Sequence, residues 1–218
     1  MNILAIDTCT EIASVTLFNS GDCFVKVLSG VDKTSGHILK LCDEVFEESQ
    51  SKLQEVDLIS YSNGPGAFTG VRMCLGVVQG LSLSMDIPTM GFSTLELLGC
   101  KASQALKSKK IAIALDARMG EVYWATYVNE LIGNMKVCSP DKVDLLTPSF
   151  VGVGRGWQAY TEQLKSASHI NEINLSINLE SSALIDLSLK SINTGLKGTL
   201  ELPQPIYLRN NVAEKSLK

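Results

Sequence analysis

Histidine is scarce in this 218-residue sequence: there are two, His37 and His169, too far apart to form a local His-x-x-x-His pair. The six cysteines, at 9, 23, 42, 74, 100 and 138, include no Cys-x-x-Cys spacing. A zinc or iron site needs such ligands brought close together, so the pattern argues against a metal centre and against a metalloprotease. The Gly-x-x-x-x-Gly-Lys-[Ser/Thr] phosphate loop is missing too. A basic face is lacking: the net charge is −4 and the pI about 5.3. Phosphate contacts supply most nucleic-acid affinity, which speaks against unaided binding to RNA or DNA. The one basic cluster, Lys107, Lys109 and Lys110, reads as a solvated helix end. Long apolar runs are absent as well. The longest uncharged helical run, Met73 to Met85, falls short of the roughly 20 residues of a membrane span. Met1-Asn2-Ile3-Leu4 has no basic region before it and reads as a first strand, not a signal peptide. The expectation is a cytoplasmic protein with no membrane segment, its cysteines reduced and mostly serving as small hydrophobes.

What is present is a globular composition, 45% hydrophobic with 19% charged residues, far from that of a disordered chain. The most telling stretch is Asn63-Gly-Pro-Gly-Ala-Phe-Thr-Gly-Val-Arg72. It follows an apolar run, Val56 to Tyr61, that reads as a buried strand. Two glycines around a proline make a fixed turn, and Gly70 permits close backbone packing where the next helix begins. Arg72 is the only charged side chain between Asp57 and Asp86. The uncharged helix beyond it needs apolar neighbours on more than one side.

Along the chain, Asn2 to Asp7, Ile12 to Phe18 and Asp22 to Leu28 predict a three-strand meander. Polar residues from Ser29 to Gly36 predict a loop. In the helix that follows, 37–49, the core stripe is Ile38, Leu41, Cys42 and Val45. Leu39 and Phe46 lie outside that stripe, as a second apolar strip or the margin of a wide core face. The glycine turn then launches helix 70–85. Ser93-Thr-Leu-Glu96 fits a capping box opening a helix that runs to about Leu106. The pattern restarts at Ile111–Leu115, which ends in Asp116 much as Ile3–Ile6 ends in Asp7. Strands at Glu121–Val128 and near Asn134–Cys138, a helix from Trp157 to about Leu164 and a last helix from Ser181 to Asn193 follow. Pro203 to Leu208 predicts an extended strap, with a frayed end beyond. The shared beginnings suggest a duplicated α/β unit, in lobes 1–105 and 106–218.

Asp7-Thr8-Cys9-Thr10 could present an acid and hydroxyls to a metal-bound phosphate, or could be a turn closed by its own side chains. Asp116-Ala117-Arg118 poses the same choice. Gly154, within Gly152-Val-Gly-Arg-Gly156, could admit a nucleotide close to backbone, although the third glycine comes one residue early for Gly-x-Gly-x-x-Gly. In helix 70–85, Gly76, Gly80 and Ser84 recur every fourth residue, a smooth stripe where a second helix could approach. Met73, Val77, Leu81 and Met85 lie on or beside it. That second helix could be 37–49 or belong to another subunit.

Ile3-Leu-Ala-Ile-Asp-Thr8, His37, Gly64-Pro-Gly-Ala-Phe-Thr-Gly-Val-Arg72, Ser93-Thr-Leu-Glu96, Asp116-Ala-Arg-Met119, Gly154-Arg-Gly-Trp157 and Tyr207-Leu-Arg209 together resemble the TsaB (YeaZ) family of the bacterial threonylcarbamoyladenosine tRNA-modification machinery. The likeness runs nearly end to end; Ala67 stands where the family usually carries Ser. It implies an α/β, actin-like or Hsp70-like ATPase (ASKHA) fold of two ribonuclease-H-like lobes. It also implies a non-catalytic role beside the paralogue TsaD, which holds its metal with a histidine pair that this chain lacks. The ATPase TsaE joins the assembly, tRNA is met only through the complex, and lone family members form homodimers. Partner-binding positions implied here are His37, Leu39, Phe46, Arg72, Met73, Gly76, Val77, Gly80, Leu81 and Ser84. No resident cofactor is expected, although ATP or ADP at a subunit interface would involve Asp7, Thr8, Thr10, Asp116 and Gly154. Cys9 and Arg118 stand where an Asp-x-Gly phosphate turn has glycine, and a side chain there crowds a phosphate. The alternative is a stand-alone nucleotide-dependent phosphotransferase or hydrolase.

Overall fold

In a computed structural model, the structure describes residues 1–30 and 35–209. Part of the loop expected at 29–36, and the end expected to fray, lie outside them. Strands β1 (Ile3–Asp7), β2 (Ile12–Asn19) and β3 (Asp22–Ser29) form the antiparallel meander. Strands β4 (Leu58–Ser62) and β5 (Thr89–Phe92) then add in parallel, giving the order β3-β2-β1-β4-β5. The second sheet contains β6 (Lys110–Arg118), β7 (Glu121–Val128), β8 (Leu131–Ile132), β9 (Lys136–Cys138), β10 (Val151–Val153) and β11 (Ile173–Asn174). Its order is β11-β10-β6-β7-β8, with β9 also on β7. In both sheets a hairpin leads, and the next long-range partner lies parallel to its first strand: β4 beside β1, β10 beside β6. This is the duplication seen in the sequence, and the fold is the two-lobed, actin-like arrangement of ribonuclease-H-like units.

The helices are α1 (Ser35–Ser49), α2 (Phe68–Met85), α3 (Thr94–Leu106), α4 (Arg155–Ala159), α5 (Thr161–Ser168) and α6 (Ser182–Asn193). They alternate with the sheets in layers. Leu4, Ile6, Val15 and Leu17 face α1 and α2, meeting Ile38, Val45, Val71, Cys74 and Val78. Ile3, Ala5 and Leu58 face the other way, into a central core with Leu95 and Leu98 of α3, Leu184 and Leu187 of α6, and Ile111 and Ile113 of β6. Ala112, Ala114 and Trp124 turn outward to Trp157 and Leu164, and the two indole rings lie 5.9 Å apart. Covered on both faces, β1 is buried at every residue, which is why it reads as a continuous apolar run.

The division at 105/106 falls in the last turn of α3 and separates the sheets, yet the chain recrosses it. Helix α6 packs on β1, β2 and β4 of the first sheet. Hydroxyls fasten it: Ser188 donates to Ser60 at 2.7 Å, and Thr16 and Ser181 share a 2.8 Å bond. Ser93 caps α3, its hydroxyl accepting from the Glu96 N–H at 3.0 Å.

Three expectations change. The helix from Trp157 to Leu164 is two helices, broken at Tyr160 (φ −132°, ψ 39°). The two-residue strands β8 and β11 are too short to carry a period of their own. Helix α2 starts at Phe68 and reaches 18 residues, so among the described residues it is the one helix long and apolar enough, by length and composition, to cross a membrane. Its Val71, Cys74, Leu75 and Val78 lie in the first-lobe core.

Candidate functional site

Two features bring the sequence candidates together: the cleft between the lobes and the outer face of α2. The cleft has a volume of about 1270 Å³ and is lined by the β1–β2 turn, the glycine turn, the start of α2, the β6–β7 turn and the C-terminal strap. Thr8, Thr10, Arg72, Met73, Asp116 and Gly154 all reach it.

The aspartates do matching work in the two lobes. Asp7 is fully buried, and its Oδ1 accepts the Cys9 N–H at 3.0 Å and the Ser62 hydroxyl. The Oδ1 of Asp116 accepts the Arg118 N–H at 2.8 Å, and its Oδ2 lies 3.2 Å from the same residue's guanidinium. Each carboxylate therefore closes its own turn two residues on. The Thr8 hydroxyl donates to the Gly70 carbonyl at 2.6 Å, and the Thr10 hydroxyl lies 3.4 Å from the Ile12 backbone. At Gly154 (φ 100°), an added Cβ would stand 2.4 Å from the Ala114 carbonyl oxygen. This glycine serves helix–strand contact. The Asp7 Oδ1, the Thr8 hydroxyl and the Asp116 carboxylate are thus bonded within the chain, and the β1–β2 turn is covered by the start of α2. Among the described residues no group of three or more His, Cys, Asp or Glu side chains could hold a metal ion.

The glycine turn explains that cover. The Ala67 N–H donates to the Cys9 carbonyl at 2.9 Å, and the Gly64–Pro65 peptide is cis. A Cβ on Gly66 would lie 2.2 Å from the Cys9 carbonyl oxygen, and one on Gly70 would lie 2.2 Å from that of Thr8. Only glycine permits this seating.

Outside, α2 shows what its sequence left open. Gly76, Gly80 and Ser84 are exposed, and a Cβ on either glycine would meet nothing within 4 Å. Helix α1 packs beside α2 but does not cover the stripe. Met73 and Leu81 are half-buried against the first-lobe core, and Val77 lies inside it, 7% exposed. Val77 therefore supports the helix from beneath and is not on the stripe. Leu39 is exposed, but Phe46 packs against the core, because the inner face of α1 is wider than its four-residue stripe. His37 lies exposed in the first turns of α1. Leu83, 65% exposed, and Met85 join the outer face; no periodic signal in so uniformly apolar a helix marks Leu83 as outward.

Arg72 faces neither turn nor solvent alone. Its guanidinium stacks on the Phe68 ring, 3.3 Å from the centroid, and donates to the Tyr207 hydroxyl at 2.9 Å. A weaker 3.4 Å bond reaches the Phe68 carbonyl. Sequence reasoning missed Tyr207 and Arg209 as cleft residues, along with the Glu11–Arg155 ion pair at 3.2 Å. These contacts join residues far apart in the chain and leave no local pattern. Burial pushes the Cys9 thiol up to about 12, with the charge of Asp7 adding, and burial pushes Cys42 up to about 12. Neither is poised as a nucleophile at neutral pH.

Comparison with known proteins places this geometry in context. A family model described as TsaD, tRNA N6-adenosine threonylcarbamoyltransferase, matches residues 32–217. The Escherichia coli (strain K12) tRNA threonylcarbamoyladenosine biosynthesis protein TsaB is 33% identical over 227 residues, covering 100% of this chain and 98% of that protein. Its Haemophilus influenzae counterpart is 33% identical over 236 residues, covering 100% and 97%. A solved Pseudomonas aeruginosa structure, described as similar to peptidase YeaZ, superposes with a TM-score of 0.87 at 30% identity, covering 95% of this chain and 99% of that one. A second, described as YeaZ from Pseudomonas aeruginosa, gives 0.84 at 29% identity, covering 94% and 100%.

Proposed function

The chain belongs to the TsaB (YeaZ) family of tRNA threonylcarbamoyladenosine biosynthesis proteins, and from that premise we propose that it is the docking, non-catalytic subunit of the modifying complex. In this reading it binds and supports a TsaD homologue, which transfers the threonylcarbamoyl group to the adenosine beside the anticodon of tRNAs reading codons that begin with A. The carrying observation is the outer face of α2. Two exposed glycines in the interior of a helix each cost about 1 kcal/mol relative to alanine, and among the described residues nothing occupies the space above them. A helix from another subunit is the occupant that gives such a stripe a use. Leu39, Leu83 and Met85 add exposed apolar surface; Arg72, Met73, Leu81 and Ser84 lie on the same helix, and His37 in the first turns of α1.

A non-catalytic role is supported by the aspartates' closure of their own turns and by the raised thiols. The acidic balance, −4, suits a protein that meets tRNA only through its partners, in the cytoplasm. A homodimer through the same α2 face is the expected state of the chain alone. A TsaE homologue completes the complex, and any ATP or ADP sits at a subunit interface, not in the closed turns of this chain. Co-purification with the TsaD homologue of the same organism, together with nucleoside analysis of tRNA from a deletion strain, tests the reading. Failure to co-elute, with the modification intact in the deletion, would sink it. A stand-alone phosphotransferase would bind Mg-ATP in isothermal calorimetry and lose it in Asp7→Ala; no binding is expected.

A further inference from the structure

We infer that the C-terminal strap, Pro203–Arg209, is a latch that holds the two lobes at one angle and closes the mouth of the cleft between them. Segments without helix or strand are ordinarily loosely held, but this one is anchored on both sides of the cleft. On the first lobe, Gln79 of α2 donates to the Pro203 carbonyl at 3.0 Å. The Ile206 N–H donates to the Asn63 carbonyl at 2.8 Å, and Tyr207 takes its bond from Arg72. Two residues later the strap is tied to the second lobe. The Arg209 guanidinium pairs with Glu121 at 2.5 Å and donates to the Ala117 carbonyl at 3.2 Å. Between the anchors, Leu208 packs against the central core.

The Arg209 side chain is only 21% exposed and that of Glu121 36%, so this pair is better shielded from water than the second cross-cleft pair, Glu11 with Arg155, at 54% and 59%. Exposed pairs contribute little. The strap's hold on the second lobe therefore concentrates on Arg209, and its release leaves the lobes joined mainly through α3 and α6, free to change their angle.

The test uses the full chain. In Arg209→Ala, hydrogen exchange of the Ile206 amide should rise about tenfold through easier local opening, and small-angle X-ray scattering should show a larger radius of gyration. The thermal transition should stay cooperative. The charge swap, Arg209→Glu with Glu121→Arg, should bring both readings back towards wild type. If Arg209→Ala does not fold, Glu121→Gln removes the same ion pair with less change of shape and should give the same two readings. A folded variant with unchanged exchange and radius, or a swap that restores neither, would overturn the latch.

Discussion

Gly66 sits against Cys9 so closely that a methyl group on its α-carbon would stand 2.2 Å from the Cys9 carbonyl oxygen. Gly70 has the same relationship with Thr8. Both obstacles are backbone atoms of a buried turn, which cannot step aside as a flexible side chain can.

Gly66→Ala and Gly70→Ala should therefore each destabilise the chain by about 1–3 kcal/mol or more, the usual cost of overfilling a packed site. Urea unfolding is the check. A midpoint equal to wild type in either variant would contradict the close seating of α2 on the β1–β2 turn.

The glycines further along the same helix should behave oppositely. A Cβ on Gly76 or Gly80 meets open space, so alanine at either should stabilise the monomeric chain, at a concentration below that of pairing, by about 0.5–1 kcal/mol, raising its melting temperature by about 1–4 °C. Gly80→Glu should keep a cooperative melt, showing a folded chain, but abolish pairing with the TsaD homologue in size-exclusion chromatography. A folded Gly80→Glu that still pairs would place the docking surface elsewhere.

The two turn aspartates should differ in cost although they make the same backbone bond. Asp7 is buried and also receives the Ser62 hydroxyl, so Asp7→Ala leaves buried donors without their acceptor, a loss of about 1–3 kcal/mol. Asp116 is half-exposed, its side chain 24% accessible, and water can replace much of what it supplies. Asp116→Ala should cost under about 1 kcal/mol. Equal losses in parallel urea titrations would refute this ordering.

Alkaline pH should unfold the protein progressively. Burial raises the thiols of Cys9 and Cys42 from 9.0 to about 12. In the unfolded chain they ionise near 9.0, in the folded chain only near 12, so the folded state binds more protons between those values. Stability is fully present below pH 9 and falls as pH rises from 9 towards 12. Melting temperatures across that range should drop, and Cys9→Ser with Cys42→Ala should flatten the slope. At pH 8, iodoacetamide should modify the exposed Cys23 before the buried Cys9, Cys42, Cys74 and Cys100, as mass mapping would show; prior labelling of Cys9 would contradict its burial.

Much of this molecule was legible from its residues. The meander, the Ser93 cap, the doubled strand-to-Asp beginning and the Gly64-Pro65-Gly66 turn are all local patterns, set by side-chain period and allowed backbone angles within a few residues. The exposed glycine stripe was legible for the same reason, because a four-residue spacing fixes a helix face.

Which way that face points was not. From Met73 to Met85 helix α2 carries no charge, so its period has no phase. Only the first sheet, by claiming Val71, Cys74, Val77 and Val78, decided that Gly76, Gly80 and Leu83 look outward. Likewise, nothing near Arg72 in the chain announces Tyr207, nor does anything near Glu121 announce Arg209. Local patterns set two lobes, their turns and a helix with one smooth side. Long-range packing settled that α2 turns its glycines outward and that the strap ties the lobes together. Those outcomes depend on contacts between residues far apart in the chain, 68 positions for Cys74 with Ile6 and 88 for Arg209 with Glu121, and such contacts are set by packing, not by local propensity.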